Sequence, residues 1–119
     1  MIIEGWDVPL YDQDLDGEEK PTAVTALLDR VIAADAMIFI TPEFNYGLPA
    51  SLKNVIAWAS RPAYNSPLKG KPALAICLSI AQPGGARAHA QLTPVYLAPR
   101  FLVPAIHEKF DVEGTLAMS

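Results

Sequence analysis

The chain has 119 residues, of which 51% are hydrophobic and 18% are charged, and its formal net charge is -4 at pH 7. This length allows one domain, and the apolar content is typical of a globular protein rather than a disordered one. The acidic balance argues against nucleic acid or an anionic membrane as a partner, because both select a basic face. No apolar run reaches the ~20 residues of a membrane span and no signal-peptide layout opens the chain, so we expect a cytoplasmic protein.

The first part of the chain is predicted to contain a strand-like stub, a polar loop, a helix and a strand. Met1-Ile2-Ile3 forms the stub, and the loop covers residues 5–17. Residues 21–34 carry apolar side chains at helical spacing, namely Val24, Leu27, Leu28 and Val31, which predicts an amphipathic helix. Residues 36–41 are a continuous apolar run, typical of a parallel strand that is buried on both faces.

The second part repeats this alternation of helices and strands. Residues 50–60 are predicted to be helical, with Leu52, Val55, Ile56 and Ala59 on one face, and residues 73–78 to form a second buried strand. A further helix is expected from Gly84-Gly85 to about Leu97, shortened or kinked by Pro94, with a short last strand at residues 100–103. Strands that alternate with helices indicate an α/β fold with a parallel sheet and helices on its faces.

Common catalytic and metal-binding patterns are incomplete in this sequence. Residues 12–17 match the first half of a calcium-binding EF-hand loop, but the twelfth position is Ala23, so we interpret them as a solvated acidic loop. His89 and His107 fall in different predicted elements without other metal ligands, and we expect His89 at the surface or an interface. Cys77 lies within an apolar strand and is interpreted as a small buried hydrophobe. We therefore expect no metal site and no catalytic acid, base or nucleophile.

Two loops that follow buried strands are the candidate ligand site, because ligands of open α/β sheets bind beyond the carboxyl ends of the strands. The first loop offers backbone N–H groups and aromatic rings ahead of a helix, which suits an electron-rich ligand edge. The second offers a serine hydroxyl and a glycine pair that lets a flat ligand approach the backbone. Together they predict a site for a planar heterocycle. The candidate residues are Pro42, Glu43, Phe44, Asn45, Tyr46, Gly47, Ser79, Gly84 and Gly85.

A set of motifs extends over nearly the whole chain. They lie at residues 9–14, 41–49, 52–58, 68–72, 84–88 and 110–111. The most specific is Pro42-Glu43-Phe44-Asn45 joined to Leu52-Lys53-Asn54 and Trp58. In these motifs the chain resembles the NAD(P)H-dependent FMN reductases, a family of flavodoxin-like enzymes that includes chromate, quinone and azo-dye reductases.

The resemblance implies FMN as the cofactor and NAD(P)H as the co-substrate. It places the flavin ring against residues 42–47, largely on backbone groups, with Ser79, Gly84 and Gly85 along the other side of the ring. Hydride from the nicotinamide then reaches the flavin, and electrons pass to a small acceptor such as a quinone, free flavin, an azo compound or an oxyanion. Ala81 and Gln82 depart from the small, glycine-rich residues of the family, and we expect them to narrow the pocket or change its polarity.

The family pattern also has parts without a counterpart in residues 1–119. These are the first strand, the loop that binds the FMN phosphate, the first helix and the last helix. We therefore expect an incomplete flavodoxin-like domain with one sheet edge and one sheet face uncovered, weakened FMN binding, and instability as a lone monomer. Either the chain forms a homo-oligomer, a dimer or tetramer, or the natural protein continues beyond Met1 and Ser119. The alternative function is a flavin-incompetent assembly module that oligomerises through the uncovered sheet.

Overall fold

A computed structural model describes residues 7–92, 100–103 and 105–116 of the chain. The predicted helices and strands are confirmed to within one or two residues, while the stub at Met1-Ile2-Ile3 and the continuation to Leu97 with Pro94 lie outside the described residues. The elements are α1 (Thr22–Ala33), β1 (Met37–Pro42), α2 (Ala50–Ala59), β2 (Ala73–Leu78), α3 (Ala86–Leu92) and β3 (Arg100–Val103), with 3-10 turns at Gln13–Leu15 and Ile106–Glu108. Among these residues no helix combines the length and the apolar character that a membrane span requires.

The chain divides into two compact units, residues 1–37 with 50–72 and residues 38–49 with 73–119. In the first unit, α1 packs against α2 through an apolar cluster of Val24, Leu27, Val31 and Trp58. These α1 residues are those that the helical spacing predicted to face a core. The carboxyl end of α1 is closed by Lys71, whose Nζ donates to the carbonyl oxygens of residues 32 and 34 at 3.2 and 2.6 Å.

Two polar groups of α2 tie the segment before α1 to this unit. The side-chain Oδ1 of Asn54 accepts from the Tyr11 N–H at 2.8 Å, and its Nδ2 donates to the backbone carbonyls of Val8 (3.2 Å) and Pro9 (2.9 Å). One helical turn later, the fully buried Trp58 donates from Nε1 to the same Pro9 carbonyl at 2.8 Å. The predicted apolar face of α2 is therefore only part of its buried surface, which also includes this pair of hydrogen-bonding side chains.

A three-stranded sheet in the order β1-β2-β3 forms the second unit, with α3 packed on β2 and β3. β2 and β3 are parallel, with Ala75 opposite Arg100 and Leu78 opposite Val103, which confirms the predicted parallel arrangement for this pair. The carboxyl ends of the strands thus leave the sheet at one edge, where the loops that follow β1 and β2 begin.

The prediction that β1 is buried on both faces is wrong. Phe39 and Thr41 are buried, but Ile38 and Ile40, which point to the opposite face, are 63% and 66% exposed. A strand alternates its side chains between faces, and within the described residues nothing covers the face of Ile38 and Ile40. One apolar face of β1 is therefore uncovered, as the resemblance implies.

Candidate functional site

A two-residue β-hairpin follows β1. The Phe44 N–H donates to the Gly47 carbonyl and the Gly47 N–H to the Phe44 carbonyl, both at 2.9 Å. Between them Asn45 and Tyr46 have φ angles of 47° and 64°, the left-handed values that a type I′ turn requires at both central positions. Asparagine adopts this conformation readily, whereas a tyrosine is strained there by about 1 kcal/mol. Such local strain is typical of functional loops.

The tip of this hairpin offers fewer backbone donors than the sequence predicted. The Glu43 N–H donates to the Leu78 carbonyl at 3.0 Å and the Phe44 N–H closes the hairpin, so these two are not available to a ligand. Within the described structure, the N–H groups of Asn45 and Tyr46 have no acceptor, and the Tyr46 side chain is 72% exposed. The tip therefore presents two adjacent N–H donors beside exposed aromatic rings.

The Glu43 side chain is hydrogen-bonded to α3 and is therefore not available to a ligand. Its carboxylate is only 8% exposed, and Oε2 accepts from the first-turn N–H groups of Arg87 (2.9 Å) and Ala88 (3.2 Å). A carboxylate that accepts from these N–H groups satisfies unpaired donors and is favoured by the helix dipole. Arg87 completes the contact, with Nη1 at 3.4 Å from Oε1 of Glu43 and its guanidinium 4.5 Å from the centre of the Tyr46 ring.

Gln91 contacts the second arm of the hairpin, which is formed by the residues after the turn, Gly47 and Leu48. Its Oε1 accepts from the Leu48 N–H at 2.9 Å, and a Cβ on Gly47 would lie 2.8 Å from its Nε2. A side chain at position 47 would therefore have to displace the Gln91 amide. The sequence did not predict the contacts of Arg87 and Gln91, because the hydrogen-bonded partners are 43 to 45 residues apart and leave no local pattern.

The second loop begins beside the first, since the bond from Glu43 to Leu78 joins the two strand ends. Ser79 Oγ accepts from the Ala81 N–H at 3.1 Å, and a hydroxyl that accepts in this way can still donate. Gly84 and Gly85 are buried and have φ angles of 61° and 85°. A Cβ on Gly85 would lie 2.8 Å from Cβ of Cys77 in β2, so the strand itself requires this glycine.

The burial of Cys77 was predicted correctly from the sequence, and the burial of His89 was not. Cys77 is buried as expected, and its pKa is raised, first by burial and second by the negative charge of Glu43, so the thiol stays protonated. The prediction that His89 lies at the surface or an interface is wrong, because this residue is only 3% exposed. Gly85, His89 and Leu92 share one helical stripe, a spacing that could have indicated its burial.

The acidic loop before α1 uses its carboxylates internally. Asp12 accepts from the Asp14 N–H at 2.9 Å, while Asp16 accepts from the Tyr11 hydroxyl at 3.2 Å and pairs with Lys20 at 3.0 Å. No group of three or more histidine, cysteine or carboxylate side chains that could hold a metal ion occurs among the described residues. These contacts give the carboxylates of Asp12 and Asp16 a structural role, in a local turn and in an ion pair.

The two loops fit the ring of FMN. A flavin ring is flat and has carbonyl and nitrogen acceptors along one edge, which match the adjacent N–H groups of Asn45 and Tyr46. Its aromatic faces match the exposed rings of Phe44 and Tyr46. Both loops belong to the second unit, and their first residues are joined by a hydrogen bond. The backbone donors and rings that a planar heterocycle requires therefore follow neighbouring strands of one sheet.

Comparison with known proteins gives consistent results. A family model described as NADPH-dependent FMN reductase matches residues 2–108. An NAD(P)H-dependent FMN reductase of Pseudomonas aeruginosa is 39% identical over 98% of this chain and 68% of its own length. A quinone reductase of Escherichia coli (strain K12) is 39% identical over 88% and 60%. The solved structure of FerB, a flavoenzyme NAD(P)H:(acceptor) oxidoreductase from Paracoccus denitrificans, matches with a TM-score of 0.73 and 35% identity over 92% and 64%. The chain thus spans 60 to 68% of the length of these proteins.

Proposed function

Because the chain belongs to the NADPH-dependent FMN reductase family, we propose that it binds FMN and passes electrons from NAD(P)H to a small-molecule acceptor. The fold is the flavodoxin-like α/β fold, and the cofactor pair of the family is FMN with NAD(P)H. The observation that carries the proposal is the strained hairpin tip, where two N–H groups without an acceptor in the described structure lie beside two exposed aromatic side chains. Strain of this kind is retained where a loop conformation serves a ligand.

The proposed FMN-binding residues act in two ways. Asn45 and Tyr46 donate from their backbone to the ring edge, Phe44 and Tyr46 offer aromatic contact, and Ser79 donates its hydroxyl hydrogen. The other residues shape the backbone that carries these groups; they are Pro42, Glu43, Gly47, Gly84 and Gly85. The chemistry that FMN supplies when bound is acceptance of a hydride and delivery of electrons to the acceptor. No side chain of the site is required as an acid or base.

A quinone is the acceptor that we favour. The Escherichia coli relative is named a quinone reductase, and a quinone is a flat molecule that can lie against the flavin ring. Free flavin, azo compounds and oxyanions are the other acceptors to be compared. We place the reaction in the cytoplasm, where NAD(P)H is available as a reductant.

Titration of FMN with the purified full chain tests the proposal, with quenching of flavin fluorescence as the measurement. Tyr46→Ser is expected to raise the dissociation constant about fivefold, because it removes an aromatic contact of roughly 1 kcal/mol. Tyr64→Ser is the matched control, since Tyr64 is also exposed and has a left-handed φ of 67° but lies outside the site. NADPH oxidation that depends on added FMN and a quinone would complete the assignment. Flavin that stays fully fluorescent at the highest protein concentration would overturn it.

We also propose that the chain is a homo-oligomer, a dimer or tetramer, in which a second copy covers the exposed face of β1. Ile38 and Ile40 are large apolar side chains exposed on the same face of β1, and such side chains are typical of an interface. Light scattering coupled to size-exclusion chromatography should give a multiple of the chain mass for the parent and a smaller species for Ile40→Lys. The control is Ile32→Lys, at an exposed position on α1. A stable oligomer that binds no flavin would instead support an assembly module.

A further inference from the structure

We propose that Gln91 is a positioning residue that holds the 42–48 hairpin in the conformation that receives the ligand. The hairpin is braced to α3 at two places. Its first arm is fixed by the Glu43 carboxylate on the first turn of α3, and its second arm by Gln91 at the last turn. The ligand-binding half of this inference rests on the proposed FMN site, whereas the ordering of the hairpin does not.

The second arm depends on one side chain. The Leu48 N–H donates to Gln91 Oε1, and this is the one bond from the arm to α3 among the described residues. The absent Cβ of Gly47 makes room for the Gln91 amide, so the glycine and the glutamine fit together as a pair. Since Gln91 is exposed, burial does not account for its place against the hairpin. The hydrogen bond from the Leu48 N–H to Gln91 Oε1 accounts for that place.

Loss of this bond should move the donors at the tip. Asn45 and Tyr46 lie between the two arms; the Phe44 and Gly47 bonds close the turn, and the contacts of Glu43 and Gln91 fix the closed hairpin against α3. A hairpin fixed to α3 through Glu43 alone can shift as a whole, and the two N–H groups then spend less time where a ring edge can meet them. Displacements of about 1 Å in a supporting shell are enough to weaken a site.

The test compares Gln91→Met, which keeps the side-chain length but removes the acceptor, with Gln91→Glu, which keeps an acceptor oxygen. In the ligand-free protein, hydrogen exchange of the Leu48 amide is expected to speed up about fivefold in Gln91→Met and to stay within about twofold of the parent in Gln91→Glu. The FMN dissociation constant should rise about threefold to tenfold in Gln91→Met, with an altered absorption spectrum of bound flavin, and recover in Gln91→Glu. Gly47→Ala, which pushes Gln91 away from the other side, should resemble Gln91→Met.

The outcomes separate this inference from the proposed function. Unchanged exchange of Leu48 in both Gln91→Met and Gly47→Ala overturns the positioning role, and so does a Gln91→Glu variant as impaired as Gln91→Met. If the parent protein binds no FMN, the proposed function fails, and the exchange rates alone decide whether Gln91 orders the hairpin. If FMN binds equally to the parent and to Gln91→Met while exchange rises, the hairpin is ordered by Gln91 but does not hold the flavin, which also overturns the inference.

Discussion

Replacing Asn54 with aspartate is expected to lower the free energy of unfolding by about 3 kcal/mol at pH 7. The new side chain has the same shape and can still accept from the Tyr11 N–H. Its second oxygen, however, would face the carbonyl oxygens of Val8 and Pro9, which now accept from the Asn54 amide at 3.2 and 2.9 Å. An acceptor opposite these two acceptors repels both of them, and it leaves the Val8 carbonyl without its donor, whereas the Pro9 carbonyl keeps only the Trp58 Nε1–H.

The loss should depend on pH in a defined direction. The introduced carboxyl group is buried and faces carbonyl oxygens, so its pKa is higher in the folded protein than in the unfolded chain. The protonated form can donate to one carbonyl, and Asn54→Asp should therefore approach the parent below about pH 4 and lose stability as the pH rises through the folded pKa. Urea unfolding at both pH values measures the difference.

Asn65→Asp is the matched control for this substitution. Asn65 is exposed in the loop after α2, and the same chemical change there should alter the free energy of unfolding by less than about 0.5 kcal/mol at either pH. Equal losses in the two variants, or a loss in Asn54→Asp that does not diminish in acid, would show that the three hydrogen bonds of Asn54 do not hold the 8–11 segment.

The helices and strands could be predicted from the sequence because their signals are local. The spacing of Val24, Leu27 and Val31 defines α1 within a few residues, and the apolar runs define β1 and β2 in the same way. Burial of β1 was predicted less well. An apolar run shows that a strand can be covered on both faces, but coverage depends on what packs there, and Ile38 and Ile40 are exposed.

Prediction of the candidate site was limited in the same way, because only its local features could be found from the sequence. The two loops were found because each follows a predicted strand, which is again a local signal. The contacts that fix the first loop join Glu43 and Leu48 to α3 across more than 40 residues, and pairings over such a separation leave no pattern in one sequence. Asn54 and Trp58 were noticed only as parts of a family motif. Their hydrogen bonds to the 8–11 segment give that motif a role in folding.

For Gly85, the sequence and the structure lead to different predictions. From the sequence, its glycine lets a flat ligand approach the backbone. In the structure, a Cβ at this position would lie 2.8 Å from Cβ of Cys77 and 3.2 Å from backbone atoms of β2, in addition to the strain of a left-handed φ of 85°. Gly85→Ala is therefore expected to lower the free energy of unfolding of the ligand-free protein by about 2 to 5 kcal/mol, from strain and overpacking together.

Gly114→Ala separates these two terms. Gly114 has a φ of 79°, close to that of Gly85, but nothing lies within 4 Å of the place that a Cβ would occupy. Its replacement should cost only the strain of the left-handed backbone, about 1 kcal/mol, so the excess loss in Gly85→Ala measures the contact with β2. Thermal and urea unfolding of both variants without FMN provide the comparison. Equal losses, with FMN affinity reduced in Gly85→Ala alone, would instead assign this glycine to the ligand, because close packing against Cys77 must destabilise the protein whether or not a ligand is bound.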